Sequence, residues 1–189
     1  MAVQLAPSQT ETLMTGEELL ASGHSALCEL VEGRIVPMSP TSFKHGNYEG
    51  NFYEHLKAYV RRRKSGKVLV GEVGLYTHRN PDTVRAADVA FISNERLARQ
   101  SKAGGYLEVA PELVVEILSP DDRWSDVTQK LREYFAVDVR LVWVADPEAR
   151  VVYAYRSLTD VREFNLADTI MGDDVLPEFS VPVASLFEE

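Results

Sequence analysis

Cysteine is almost missing from this sequence. Cys28 stands alone, which excludes an internal disulfide and a multi-cysteine zinc site. No apolar run approaches the ~20 residues needed to cross a bilayer. The opening stretch, MAVQLAPSQTETLMTGEELL, has no basic start followed by a continuous apolar segment, the mark of a secretory signal. The expected location is cytoplasmic, with no membrane partner. A Gly-rich phosphate loop of P-loop or Rossmann type is absent, as is a Gly-x-Ser-x-Gly elbow. No pair among His24, His45, His55 and His78 has the spacing of a zinc site. Positive charge is also short: 20 Lys and Arg against 29 Asp and Glu give a net charge of −9. That runs against a nucleic-acid binder, whose affinity comes largely from phosphate contacts. The one dense basic run is Arg61-Arg62-Arg63-Lys64, followed by Lys67. It reads equally as a solvated helix end, where cations suit the helix dipole, or as a phosphate-contact patch.

What is present fits an ordinary globular domain. A chain of 189 residues, 45% hydrophobic and 26% charged, is long enough to bury a sizeable core. Residues 1–14 show no period and read as a loose N-terminal arm, with 15–189 as a single domain. Thr15 and Glu18 form a capping-box pattern opening a short helix through Leu20. Cys28 to Val36 reads as two short strands turning at Glu32-Gly33. Tyr48, Phe52, His55, Leu56, Tyr59 and Val60 recur at helical spacing, predicting a helix from His45 to Arg63 that Gly66 stops. Lys67–His78 and Val84–Ile92 read as strands around an Asn80-Pro81-Asp82 turn. Residues 93–110 read as irregular or partly helical. Leu113–Leu118 is apolar enough for a central strand covered on both faces. Ser119-Pro120-Asp121-Asp122 predicts the start of a helix running to about Phe135. A strand pair follows, Arg140–Ala145 and Arg150–Tyr155. The tail is read as a short strand or loop around Leu176-Pro177, ending near Leu186-Phe187. The fold class is mixed α/β (α+β), with a central mixed sheet flanked by helices.

The chemistry lies in two acids set inside apolar strands, Asp88 in AADVAFI and Glu116 in VVEIL. A lone buried carboxylate is costly, so such acids are normally paired, protonated or metal-bound. Exposure on a strand's solvent face is the rival account, and it suits Asp88 better than Glu116. Two carboxylates on neighbouring strands form a hard oxygen site for magnesium, with manganese as an alternative. Lys130, on the following helix, can reach back towards that metal to orient the attacking water or offset transition-state charge. Its rival partner is Asp126, at i, i+4 spacing. Of Glu29 and Glu32, three residues apart, only one can face the site. His45 suits a ligand, a base or a phosphate donor, and equally a helix cap.

Taken in order, ELVEG from Glu29, MSP from Met38, His45, ADVAFIS from Ala87, PELVVEILSP from Pro111, KLREY from Lys130 and VWVADP from Val142 form a specific set. The chain resembles the Uma-type restriction endonuclease family, common in bacteria and expanded in cyanobacteria, across about residues 15–187. The resemblance implies a restriction-endonuclease-like core of PD-(D/E)XK type: a helix, a three-stranded meander, a helix and a further strand. It makes Asp88 the first acid and Glu116 the second, with the backbone carbonyl of Ile117 completing the metal coordination. Leu118 stands where that superfamily places its lysine, and Lys130 takes the lysine's place from the next helix. Glu29 matches an additional acid, and His45, Ser119, Gln129 and Tyr134 match recurring positions.

The sequence reading is therefore a magnesium-dependent endonuclease hydrolysing DNA, acting as a homodimer because one site cuts one strand. One rival is a metal- or nucleic-acid-binding regulatory module of the same fold that does not cleave. The other is a glycosidase using the two acids, which would need an aromatic-lined sugar cleft.

Overall fold

The computed structural model describes residues 12–23, 28–101 and 104–189. Most of the expected N-terminal arm, and His24, lie outside the described residues. At the arm's described end, Met14 donates its N–H to Gly33 O at 2.9 Å. The chain first forms α1 (Gly16–Ser22), β1 (Cys28–Val31), β2 (Arg34–Pro37) and α2 (Phe43–Arg63). Then come β3 (Gly66–His78), β4 (Thr83–Ser93), α3 (Asn94–Leu97), β5 (Leu113–Ile117) and α4 (Trp124–Ala136). β6 (Leu141–Asp146), β7 (Val151–Tyr155), β8 (Val161–Phe164), β9 (Thr169–Gly172), β10 (Leu176–Pro182) and α5 (Val183–Leu186) complete it. Among the described residues no helix is long and apolar enough to cross a membrane.

The fold is mixed α/β, with a central mixed sheet between helices. β3 lies antiparallel along one edge of β4 from Gly66↔Ser93 to His78↔Thr83. The opposite edge of β4 is shared by two strands. β1 pairs there at Leu30↔Val84, and β5 from Val89↔Val115 to Phe91↔Leu113. β6 is parallel to β5, reached through α4, and β7 and β8 follow antiparallel. The implied meander, helix and further strand are all present.

Both faces of the sheet are covered. On one, Tyr48, Phe52, Leu56, Tyr59 and Val60 of α2 pack on Val89, Phe91, Leu113, Val115 and Trp143. On the other, Val127, Leu131 and Tyr134 of α4 pack on Val114, Val142 and Val144. This two-sided burial explains why β5 and β6 are apolar on alternate and intervening residues alike.

Three local features differ from the sequence expectation. The helix after β5 begins at Trp124, with Arg123 as its N-cap and no side-chain cap. Ser119–Asp122 instead form a turn, in which Asp122 Oδ2 accepts from Ser119 N at 2.7 Å and Ser119 O from Asp122 N at 3.0 Å. The first long helix begins at Phe43 with Ser42 as its cap, so His45 is freed from that role. The tail holds β8, a β9–β10 ribbon and α5, where a single strand or loop was expected. β3 also carries a bulge at Gly71-Glu72, with φ of 88° and 48°. Gly71 tolerates that conformation without a Cβ penalty, and its N–H donates to Glu49 Oε1 of α2 at 2.8 Å.

Candidate active site

The site occupies the interval along β4 between the pairings with β1 and β5. There, carboxylates replace the backbone ladder. Glu29 Oε1 accepts from Ala86 N at 3.0 Å, and Asp88 Oδ2 accepts from Ile117 N at 2.6 Å. Continuing the β4–β5 register by one residue sets Asp88 beside Glu116 on the same face. Asp88 is buried, and the Glu116 side chain is only 12% exposed.

From α4, Lys130 and Tyr134 reach Glu116 together, since residues four apart share a helix face. Lys130 Nζ lies 2.9 Å from Glu116 Oε2, and the Tyr134 hydroxyl donates to Oε1 at 2.6 Å. Lys130 Nζ also lies 3.1 Å from Glu29 Oε1. Glu29 Oε2 in turn accepts from Arg85 Nη1 at 2.8 Å. Arg85 then grips Glu133 with two hydrogen bonds, Nε to Oε2 at 2.6 Å and Nη2 to Oε1 at 2.7 Å. Gln129 and Thr77 complete the shell of Glu133. A pocket lined by Glu116, Ile117, Leu118, Lys130 and Tyr134 opens onto the centre.

His45 enters from α2. Its Nδ1 is 3.4 Å from Ser119 Oγ, and its Nε2 is 3.4 Å from Asp88 Oδ1. That Nε2 is buried, with no hydrogen-bond partner among the described residues.

The electrostatics follow from crowding charges in a dry interior. Burial pushes the Glu116 carboxyl up to about 7, outweighing the pull of Lys130, and nearby Asp88 adds to the rise. Burial alone would depress the Lys130 ammonium, but Glu116 and Glu29 hold it above its ordinary range. Glu29 is likewise penalised by burial, yet Lys130 and Arg85 keep its carboxyl low. Burial opposes charge on His45, and Asp88 more than compensates, so its pKa is raised. Burial and Asp88 both raise Glu49. Asp88, Glu116, Glu29 and Glu133 thus share the interior with two permanent cations, Lys130 and Arg85. Carboxyl groups outnumber the cations there, and a divalent cation would favour the ionised form of Glu116.

The residues fit such an ion. An orphaned buried imidazole nitrogen faces an aspartate, and the donors are hard oxygens beside a pocket. Among the described residues no three His, Cys, Asp or Glu side chains form a ready-made cage. Magnesium needs none, because one or two carboxylates suffice when water and substrate phosphate fill the octahedron.

Asp88, Glu116, Lys130, Glu29 and His45 are all brought together, and Ile117 joins them through its backbone. Ser119, Gln129 and Tyr134 each touch the network. Asp126 does not hold Lys130; it accepts from Ser125. Glu32 sits in the β1–β2 turn with φ of 49°. His55 meets the Ser185 hydroxyl, and His78 meets Pro81 O. The basic run lies at the C-terminal end of α2, sixteen residues or ~24 Å along the helix from His45. Arg63 there pairs with Glu178 and stacks on Tyr59. Sequence reasoning missed Arg85, Glu133 and Glu49. Arg85 carried the same signal as Asp88, a charge inside an apolar strand, and Glu49 lies one turn beyond His45.

The Uma2 family, described as "Putative restriction endonuclease", matches residues 17–184 and so spans every residue of this site. The chain belongs to the Uma2 family. Among solved structures, a DUF820 protein from Anabaena variabilis described as a "putative nuclease" shares the fold. Its TM-score is 0.76 at 19% identity, covering 92% of this chain and 97% of that one. No curated protein matches the sequence.

The network also gives this Uma2 chain an acid-sensitive joint. Burial would raise Glu133, but its bonds to Arg85, Gln129 and Thr77 hold its carboxyl below the ordinary glutamate range. A depressed carboxyl contributes stability that is present above its unfolded pKa and lost as pH falls through the folded one. The margin by which the wild-type urea midpoint exceeds that of Glu133→Gln is therefore expected to be steady from neutral pH to about 4.5 and to shrink below it. A margin that stays constant into acid would remove Glu133 from the account.

Proposed function

We propose that this Uma2 protein is a metal-dependent endonuclease that hydrolyses DNA phosphodiester bonds, with a site of PD-(D/E)XK type. One observation carries the reading: Asp88 and Glu116 lie side by side where β4 and β5 part, with Lys130 bonded to Glu116. Asp88 and Glu116 would hold magnesium, or manganese in its place, with the Ile117 carbonyl. When bound, the ion supplies a more acidic water and charge stabilisation at the phosphorus and the leaving oxygen.

The chain's own residues do the rest. Lys130 orients the water and offsets negative charge on the phosphoryl oxygens. Glu29 fixes the Lys130 ammonium from behind, and Tyr134 fixes the second oxygen of Glu116, so both groups are preorganised. His45, held between Asp88 and Ser119, can donate to a phosphate oxygen. A duplex substrate calls for two such sites, hence a homodimer, and DNA as substrate implies the cytoplasm.

Supercoiled plasmid incubated with magnesium or manganese should be nicked or linearised. Asp88→Asn preserves an acceptor for Ile117 N–H and should lower the rate on the order of a hundredfold or more, the scale of several kcal/mol of charge stabilisation. Calorimetric titration should show matching loss of metal affinity. Metal binding without cleavage of plasmid, linear, single-stranded or RNA substrates would instead assign the fold to a regulatory module.

A further inference from the structure

Trp124 opens α4 and is 52% exposed. Its ring meets Tyr153 edge-on, with centroids 6.0 Å apart and planes at 70°. It borders an open pocket of about 160 Å³ together with Pro120, Pro147, Asp122, Asp146 and Glu148. Leu118, Asp122 and Val127 line both this pocket and the one containing Glu116 and Lys130, so the two are neighbours.

The chemistry of this second pocket differs from that of the first. Among the described residues no lysine or arginine lines it, and its carboxylates repel phosphate. Asp122 Oδ2 is occupied by Ser119 N, and Asp146 Oδ1 by the N–H groups of Glu148 and Ala149. Among the described residues, Asp122 Oδ1, Asp146 Oδ2 and the Glu148 carboxylate are left to accept. The matching ligand is flat and apolar on its faces, with N–H donors on its edge. A nucleobase carrying an exocyclic amino group has that form, and carboxylates accept from such groups.

We propose that this pocket binds an unpaired nucleobase adjacent to the scissile phosphate, stacked on Trp124 with its amino edge towards the acidic rim. The inference rests on reading the Glu116–Lys130 centre as the site of phosphodiester cleavage. The base comes either from a single strand or from a nucleotide extruded from a duplex; both present the same face and edge. The acidic rim then selects bases where a basic rim would select backbone. Thymine, without an amino group, is the weakest ligand.

The sequence supplies its own probe. Trp143, the second tryptophan, is fully buried, so ligand-dependent fluorescence changes report Trp124. Metal-free full-length protein is titrated with short deoxyadenylate, deoxycytidylate and thymidylate oligonucleotides and with a fully paired hairpin. Quenching by the first two, weaker quenching by thymidylate and none by the hairpin is the expected result for a single strand. Equal quenching by the hairpin keeps the pocket and names an extruded base as the source. By anisotropy of a labelled oligonucleotide, Trp124→Ala should weaken single-strand affinity by about five- to a hundredfold, the scale of one base–aromatic stack. Trp124→Phe should restore most of it. Absence of quenching, or unchanged affinity in Trp124→Ala, overturns the inference. Wild-type cleavage without quenching rejects the pocket and leaves the nuclease standing; quenching without cleavage does the reverse.

Discussion

Arg85→Met is expected to unfold more easily than the wild type by about 3–5 kcal/mol, the usual cost of removing one partner from a buried ion pair. For a domain of this size that corresponds to a fall in Tm of roughly 6–20 °C. The reason is positional. The Arg85 side chain is 10% exposed and spends three nitrogens on two glutamates, the buried Glu29 of β1 and the partly buried Glu133 of α4. Without it, Glu133 keeps only Gln129 and Thr77, and Glu29 keeps Lys130 and Ala86 N–H. Glu29, the more deeply buried of the two, is then left with a charge that water can barely reach. The urea midpoint should fall with an unchanged slope, as for a loss of stability within a two-state transition. Adding Glu133→Gln to Arg85→Met should recover part of the loss, because the orphaned charge goes with it. A shift below 1 kcal/mol in the single variant would show that the cluster is wetter than its burial indicates.

Lys130→Met is expected to lower cleavage on the order of a hundredfold to a thousandfold, the range seen when one preorganised donor to a reacting group is lost. The informative feature is the direction of a second quantity. Lys130 is a cation beside the carboxylates proposed to hold the metal, at 2.9 Å from Glu116. Removing it takes away a like charge, so metal affinity should stay level or rise while turnover collapses. A purely structural lysine would lose both together, along with thermal stability. Retention of more than about a fifth of the wild-type rate, within a factor well short of one missing donor, would assign water positioning to another group.

The parts of this architecture that were legible in the sequence are those governed by local rules. The apolar stripe from Tyr48 to Val60 marked α2, the Thr15–Glu18 box marked α1, and the run from Leu113 to Ile117 marked the doubly covered β5. Asp88 and Glu116 stood out because each interrupts an apolar strand. Partners far apart in the chain were not legible. Arg85 and Glu133 are 48 residues apart and meet only once α4 lies across the sheet. The tail strands escaped notice because β8 exposes three of its four residues, leaving little apolar alternation to read. At Ser119–Asp122 the cap pattern was genuine, but Asp122 spends its carboxylate closing a turn, and the helix starts afterwards at Trp124. The acidic balance, which argued against a nucleic-acid partner, has a local expression in the carboxylates around Trp124.

The divided edge of β4 has a further consequence, in the language of amide exchange. The N–H groups of Ala86 and Ile117 are sheltered by the carboxylates of Glu29 and Asp88, where neighbouring strand amides are sheltered by backbone carbonyls. Their protection is therefore tied to what those acids are doing and not simply to global unfolding. Whatever draws Asp88 or Glu29 aside loosens one of these two amides while the β3–β4 ladder behind them stays closed. The backbone thus carries two built-in reporters of the site's occupancy, one on each side of the gap.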